Sequence, residues 1–591
     1  RNAPLSLQKQ RWKLAPAVDP QLLARWDSLF PLIVQLLRNR GFTELHRDRL
    51  FPLIVQVLHN RGITGPQEAD AFLDGPGTQH DPFALKGMED AVARLRQAIR
   101  RHEPIAVYGD FDTDGVTATA LLVDTLSALG ARVRPYIPHR VDEGYGLNLN
   151  ALRRLWQAGV RVVVTVDCGI RSVREASRAQ DHLDLIITDH HSVGPDLPPA
   201  LAILNPHQPG CPYPFKELAG VGVAFKLAQS LLRVDAQMEQ ASQLDAVSLL
   251  ELVALGTVAD MMPLLGENRT LVQRGLDVLN STPRPGVEAL MADAQVRREE
   301  VNATTIGFRL GPRLNAAGRI DTALLAYQLL TSRDPLQTRD LARQLGRLNQ
   351  QRQDLTDRTV AAAEAQVQED PDAYLLFVGG PSFHPGIVGL AASRLTDAYY
   401  RPSAVLEIGE KTSRASCRSI PEFNITAALE QCSDLLVRFG GHAAAAGFTV
   451  TNHNLEALRL KLQSIAAHQL SDVDLRPTLE IDARVPLEEI DWDTRALLDQ
   501  LEPCGMDNPP PVLLSPDVQV RSWRTIGSAG QHLKLELRDG HHRSWDAIYF
   551  RHGDLAAQIP DSVDVAYLLD VNEWKNQKRL QLVVQDLRAA T

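Results

Sequence analysis

Three aspartates stand at alternate positions in Gly109-Asp-Phe-Asp-Thr-Asp-Gly115, directly behind the apolar run Ile105-Ala-Val-Tyr108. Carboxylates so spaced at the end of a strand point into one small volume and repel one another unless a cation sits among them. A calcium-binding EF-hand loop also alternates aspartates, but it needs flanking helices and a Glu at its twelfth position. Counted from Asp110 that position is Leu121, and a strand precedes the loop, so the EF-hand reading fails. The pattern then recurs. Asp167 follows Val160-Arg-Val-Val-Val-Thr-Val166, and Asp189-His190-His191 follows Leu185-Ile-Ile-Thr188. A fourth apolar segment, Leu249 to Val258, delivers Asp260, giving four clusters expected to converge at strand ends. Carboxylates with one or two imidazoles and no thiolate suit Mn²⁺ or Mg²⁺ better than structural zinc. A two-metal site of this composition is the usual apparatus for attacking a phosphodiester.

Residues so placed need a scaffold. Short continuous apolar runs alternating with helical segments from Pro104 to Ala259, such as Thr117 to Leu129 and Ser172 to Gln180, predict a doubly wound α/β domain with a parallel sheet. Ligands of such sheets bind beyond the carboxyl ends of the strands. Leu341, Leu345, Leu348 and Leu355 predict one long helix between Asp334 and Glu369 joining two lobes. A second α/β region follows, with a strand at Tyr374 to Val378 and a Gly/Ala-rich loop at Gly440 to Gly447. Beyond about Leu475 short strands predict a small β-barrel. The first 85 or so residues read as helical and hold a near-repeat, Leu29–Gly41 and Leu50–Gly62, read as a duplicated amphipathic helix closed by glycine. The expected domains are therefore 1–85, 86–330, 331–370, 371–470 and 471–591.

Composition excludes some classes. Apolar residues at 44% and charged residues at 23% of 591 are ordinary for a globular protein. Five scattered cysteines without a C-x-x-C pair argue against a disulfide framework or zinc ribbon and fit a reducing cytoplasm. No apolar run is long enough to span a bilayer, so no membrane association is expected. The basic opening, with no apolar stretch behind it, is not expected to be a signal peptide, and Arg at position 1 leaves room for further domains outside this chain. The net charge of −10 does not decide against nucleic acid, because bound cations reverse the local potential of a carboxylate cluster. Gly220-Val-Gly-Val-Ala-Phe has no strand before it and is set aside as a dinucleotide loop, and no G-K-[ST] of a P-loop occurs.

The order and spacing of these motifs resemble the DHH phosphoesterase family, and within it the single-strand-specific exonucleases. The resemblance runs from about residue 45 onward. It rests on the motifs at Asp110, Asp167, Asp189-His190-His191 and Gly256-Thr-Val-Ala-Asp260, on Gly311–Arg319, Phe383–Arg394, Cys417–Pro421 and Gly440–Gly447, and on a final OB-fold-like barrel with Pro503–Pro509 and His532–Leu537. It implies a DHH core, a DHH-associated substrate-binding domain and an OB-fold. It further implies a 5′-to-3′ exonuclease releasing mononucleotides from single-stranded DNA in repair and recombination. Asp112 and Asp114 would each bind one of two divalent ions, Asp167 would bridge, His190 and Asp260 would complete the second site, and Asp110 would support the first. His191 would contact the scissile phosphate, with Asp189 beside it. Arg313, Asn315 and Arg319 would line the path between lobes, with Ser416, Arg418, Gly440, Gly441 and His442 holding phosphate. Of Trp492, Trp523, Trp545 and Trp574, most are expected in the barrel core, and Trp574 is the candidate to touch nucleic acid. Thr113 stands where the family usually has Ala, and Glu422 where Gly is common, a charge set against phosphate affinity. Single-strand-binding protein, helicase or recombination mediators are the partners such an activity implies. The rival expectations are a phosphatase for short oligonucleotides and a catalytically dead replication scaffold, which should have lost ligands.

Overall fold

The computed structural model describes residues 6–8, 10–37, 47–73, 78–140, 142–238, 241–574 and 577–590. They form two compact units, one of residues 80–262 and 271–475, the other of 1–79, 263–270 and 476–591.

The first unit is built on a five-stranded parallel sheet: β1 (Ile105–Tyr108), β2 (Val133–Tyr136), β3 (Val162–Val166), β4 (Asp184–Thr188) and β5 (Ala202–Leu204). The order is β2-β1-β3-β4-β5, with Val107 opposite Val164 and Val164 opposite Ile186. Every residue of β1 and β3 is buried, which is why both read as unbroken apolar runs: helices cover both faces. Strand order reverses between β1 and β3, the crevice where such sheets take their ligands.

The expectation for Leu249 to Val258 needs correcting. The segment is a helix, Leu250–Ala259, and Asp260 is its C-cap rather than the end of a strand. It packs against the helices Thr113–Ala128 and Gly220–Asp235 and is buried on nearly every side. A helix apolar all round shows no 3.6-residue period, so its sequence cannot be told from a buried strand by pattern.

The long helix is Pro335–Val367, capped by Asp334, whose side chain accepts from the Leu336 amide at 2.9 Å. At a rise of 1.5 Å per residue it extends about 50 Å. Beyond it lies a five-stranded sheet in the order Leu436–His442, Ala445–Thr451, Thr412–Arg418, Ser403–Ile408, Leu376–Gly380. The Gly/Ala-rich stretch is thus a β-hairpin and not a loop. Gly440 pairs with Gly447, and a Cβ on Gly441 (φ +148°) would fall 2.4 Å from the Ala445 carbonyl oxygen. Small residues let these two backbones approach, while leaving little side chain to show a strand's alternation.

In the second unit six strands from Ala483 to Ala589 close on themselves, because Leu513–Ile526 pairs with both His532–Arg538 and Ser562–Trp574. Its core includes Trp26, Phe30, Ile54 and Leu58 from the N-terminal helices together with Leu535, Tyr549 and Val565 of the barrel. The repeat forms helices Phe30–Leu37 and Arg47–Asn60, whose Phe30 and Phe51 rings meet edge-on at 5.6 Å. Gly62 closes the second copy at φ +76°, and Gly41 lies outside the described residues. The N-terminal region is not wholly helical: Arg11–Leu14 is a strand pairing in parallel with Thr478–Ile481. Four residues are too few to show a period, and the partner is hundreds of residues away.

The tryptophan expectation also fails in part. Trp545 is buried, but Trp492 and Trp523 are 46% and 47% exposed. Trp492 opens the helix Trp492–Leu498, and Trp523 lies in the outer, exposed half of the strand Leu513–Ile526. Trp574 ends the strand Ser562–Trp574, and Lys575 lies outside the described residues. Among the described residues no helix is long and apolar enough to cross a membrane.

Candidate metal centre

The chain leaves β1 at Gly109 and turns through Asp110 into the helix Thr113–Ala128. Asp112 caps that helix, accepting from the Gly115 amide at 3.0 Å, while Asp114 lies buried in its first turn. Both oxygens of Asp114 are fixed from outside by the start of the helix Gly220–Asp235: the Gly220 and Val221 amides donate to them at 2.7 and 2.8 Å. Asp167 follows β3 at φ +60°, a left-handed conformation unusual for a residue with a Cβ, and its amide donates to the Thr188 carbonyl at 3.0 Å. Asp189 follows β4 and is a hub of acceptors. The Ile170 amide donates to one oxygen at 2.9 Å, and the His190 amide (2.8 Å), the His191 amide (3.1 Å) and His191 Nδ1 (2.8 Å) donate to the other.

These groups converge. His190 Nε2 lies 3.1 Å from Asp167, 3.6 Å from Asp260 and 3.9 Å from Asp114. Ligand atoms of Asp110, Asp112 and Asp167 fall within 4.8 Å of one another, as do those of Asp114, His190 and Asp260, and those of Asp167, His190 and His191. Asp110 Oδ1, Asp167 Oδ1 and His190 Nε2 are buried without a hydrogen bond. Buried polar atoms are normally satisfied, so three orphans aimed into one carboxylate cluster mark a place for cations. The donor set fits divalent ions of the Mn²⁺ or Mg²⁺ kind.

Electrostatics agree. Burial, then the charges of neighbouring aspartates, pushes Asp110 and Asp167 well above the usual carboxylate range, Asp114 to about 7 and Asp260 to about 9. Burial, then repulsion from His191, lowers His190 to about 4, which keeps its imidazole neutral and able to ligate. Burial works against charge on His191, but the hydrogen bond and charge of Asp189 outweigh it and hold that ring above the ordinary histidine value. Since Nδ1 donates to Asp189, Nε2 of His191 is the nitrogen left to face a substrate.

The remaining expected residues separate. Arg319 is half-buried on the helix Gly311–Ile320 and donates to the Gly386 carbonyl at 3.2 Å. Burial, then repulsion from Arg140 and Arg352, lowers it to about 10. Arg418 donates to Ser416 Oγ at 3.2 Å and to the Cys417 carbonyl at 2.8 Å. Asn315 is half-buried, and its Oδ1 accepts from the Thr113 amide at 2.8 Å and steadies the aspartate loop. Arg313 is held by Asp293 at 3.1 Å and by the Arg309 carbonyl at 2.8 Å, an ion pair beside the long helix. Gly440, Gly441 and His442 are exposed in the hairpin of the second lobe and do not join the cluster. Glu422 accepts from the Tyr400 hydroxyl at 3.1 Å, which restrains the charge set against phosphate.

Sequence reasoning passed over several residues. A Cβ on Gly220 would lie 2.6 Å from Asp167 Cβ and 2.8 Å from Asp114 Oδ2, and one on Gly256 would lie 2.8 Å from Asp114 Oδ1. The glycine-rich stretch set aside as a dinucleotide loop is therefore a helix start that seats two aspartates. Arg140, its guanidinium 4.6 Å from the Phe111 ring centroid, is lowered by burial while Asp110 and Asp112 oppose the shift. Tyr145 sets its hydroxyl 3.1 Å from His191 Nδ1.

Family models match along the chain: the DHH family N-terminal domain over residues 104–257, the DHHA1 domain over 372–468 and the RecJ OB domain over 481–586. The chain is 39% identical over 586 residues to the single-stranded-DNA-specific exonuclease RecJ of Bacillus subtilis, covering 98% of this chain and 71% of that one. It is 34% identical to the protein of the same name from Escherichia coli, covering 85% and 90%. The crystal structure of RecJ in complex with Mn²⁺ from Thermus thermophilus superposes with a TM-score of 0.80 at 29% identity, covering 98% of this chain and 80% of that one.

Proposed function

The chain belongs to the RecJ family of DHH phosphoesterases, and from that membership we propose that it hydrolyses single-stranded DNA from the 5′ end, releasing mononucleotides, with two divalent ions. The observation that carries the two-ion reading is the pair of ligand groups around Asp167, with three buried atoms left without hydrogen bonds. Asp110, Asp112 and Asp167 would hold one ion and Asp114, His190 and Asp260 the other, with Asp167 placed to serve both. Mn²⁺ or Mg²⁺ bound there would supply an acidified water and neutralise charge on a phosphodiester.

The chain's own groups do the rest. The Gly220 and Val221 amides fix Asp114, and Asp189 fixes both histidines, so the ligand atoms are in place before substrate arrives. His191 donates from Nε2 to a phosphate oxygen as its charge grows. Arg319 and Arg418, with Ser416, grip the terminal phosphate; guanidiniums that repel one another in the free protein gain a shared counter-charge. Polarity rests on family membership. The ligand set is complete, which sets this chain apart from a dead scaffold, and an OB-fold barrel is more than a short oligonucleotide needs. A reducing cytoplasm suits five free cysteines, and a supply of single strands implies helicase, single-strand-binding or recombination partners.

The test is hydrolysis of 5′-labelled and 3′-labelled single strands, duplex DNA and short RNA, each with Mn²⁺ or EDTA. Labelled mononucleotide should leave the 5′-labelled strand first and only with metal. Cleavage of duplex as fast as single strand, or activity surviving EDTA, overturns the proposal.

A further inference from the structure

The helices Leu149–Gln157 and Val173–Ala179 run side by side on one face of the central sheet, and a cavity of about 430 Å³ opens where they end. That volume lies within the range of about 300–1,000 Å³ common for small-molecule sites. Trp156 leads through Gly159 into β3, and His182 leads into β4. The cavity therefore sits toward the amino ends of those strands, while the carboxylate cluster sits at their carboxyl ends. Leu152 and Leu183 give it an apolar floor. The Trp156 and His182 rings stack at 4.0 Å and 18°, yet Trp156 as a residue is 36% exposed.

Two guanidiniums stand on the rim. Arg153 and Arg178 are exposed, and neither makes a hydrogen bond or ion pair among the described residues. Asp181 is the single carboxylate in the lining, so the rim carries a net positive charge. Nothing in the carboxylate cluster's chemistry uses any of these side chains.

We propose that this groove is a second nucleotide site, distinct from the metal centre, with a nucleobase laid against Trp156 and its phosphate between Arg153 and Arg178. A flat aromatic face accepts any base, because every base has a π-face to stack on it. The guanidinium fork matches phosphate oxygens two at a time. An acidic peptide would also satisfy the arginines, but it has no flat group to match the open indole. The nucleotide comes either free, as a released mononucleotide, or as one unit of a single strand, and the chemistry is the same for both.

Photocrosslinking of the full chain in EDTA separates the sources. One arm uses iodo-deoxyuridine monophosphate, the other a short oligothymidylate carrying one iodo-deoxyuridine, with crosslinked peptides identified by mass spectrometry. A crosslink at Trp156 or His182 is expected in at least one arm, and the arm that gives it names the source. The double variant Arg153→Ala/Arg178→Ala leaves the stack in place; it should lower crosslink yield by about tenfold while hydrolysis of a short strand in Mn²⁺ stays unchanged. Failure of both arms to mark these residues, an undiminished yield in the double variant, or displacement by a polyglutamate peptide but not by thymidine monophosphate overturns the proposal.

Discussion

At Asp167 the backbone takes φ +60°, a conformation that costs a residue with a Cβ about 1–3 kcal/mol. The carboxylate it delivers is buried among the charges of Asp114, Asp112, Asp260 and Asp110. Cations bound there would offset the electrostatic cost, which a proton offsets in their absence. Asp167→Ala should therefore cut hydrolysis by more than the about 10–100-fold that follows loss of an outer-shell partner, while single-strand binding, read by fluorescence anisotropy, holds. Normal degradation by that variant would remove Asp167 from the shared position. The same repulsion makes the metal-free protein sensitive to pH. Asp260 has a folded value of about 9, far above an unfolded aspartate, so the folded state binds the extra proton. Its contribution to stability is complete below the unfolded value and is lost as pH rises toward about 9. His190, lowered to about 4, acts in the opposite sense and only below its unfolded value near 6.5. Between about 6.5 and 9 the metal-free melting temperature should fall. Asp260→Asn should flatten that fall, and Mn²⁺ should stabilise more strongly at the upper end. A metal-free melting temperature that rises across this window contradicts the assignment.

Elements, rather than residues, decide how closely the cluster can be drawn together. The helix start at Gly220 lies against Asp167 and Asp114, and Gly256 brings the helix of Asp260 onto the same carboxylate. Gly220→Ala would place a methyl group 2.6 Å from Asp167 Cβ. Overpacking of this kind costs about 1–3 kcal/mol, and displacement of Asp114 should weaken Mn²⁺ binding by about 10–100-fold. Calorimetric titration of Mn²⁺ into a variant that keeps its far-ultraviolet dichroism measures this, and unchanged affinity would show that the helix start is a bystander. Here the limits of sequence reading are physical. Asp110, Asp167 and Asp189 were legible because each ends an apolar strand, and a parallel sheet must gather such ends on one edge. Asp260 joins the cluster as expected, but from the end of a helix rather than a strand, because a helix buried on every side loses its period. Gly220 was set aside because its role is a contact between distant segments, which no local pattern records. At Arg313 the residue type suits phosphate, while its ion pair with Asp293 is a contact between separate helices that no local pattern records.

On the scale of the whole molecule, chain order and core membership part company. Residues 1–79 and 476–591 belong to one unit although about 400 residues separate them. A division of the sequence by pattern puts its first boundary near residue 85, because it sees helices give way to strands and cannot see what those helices bury. Trp26, 1% exposed, and Ile54, fully buried, belong to the same core as Leu535 and Tyr549 of the barrel. The N-terminal helices thus share one core with the barrel. Truncating a buried tryptophan costs about 3–5 kcal/mol, and cooperative units lose protection together. Trp26→Ala should therefore speed amide hydrogen exchange in the barrel strands Leu513–Ile526 and His532–Arg538 by a factor of about 100 or more. Exchange in β1 and β3, in the other unit, should hold at its original rate. Acceleration confined to residues 20–60, with the barrel strands unchanged, would mean that the helices fold as a domain of their own and that the shared core contributes little to either.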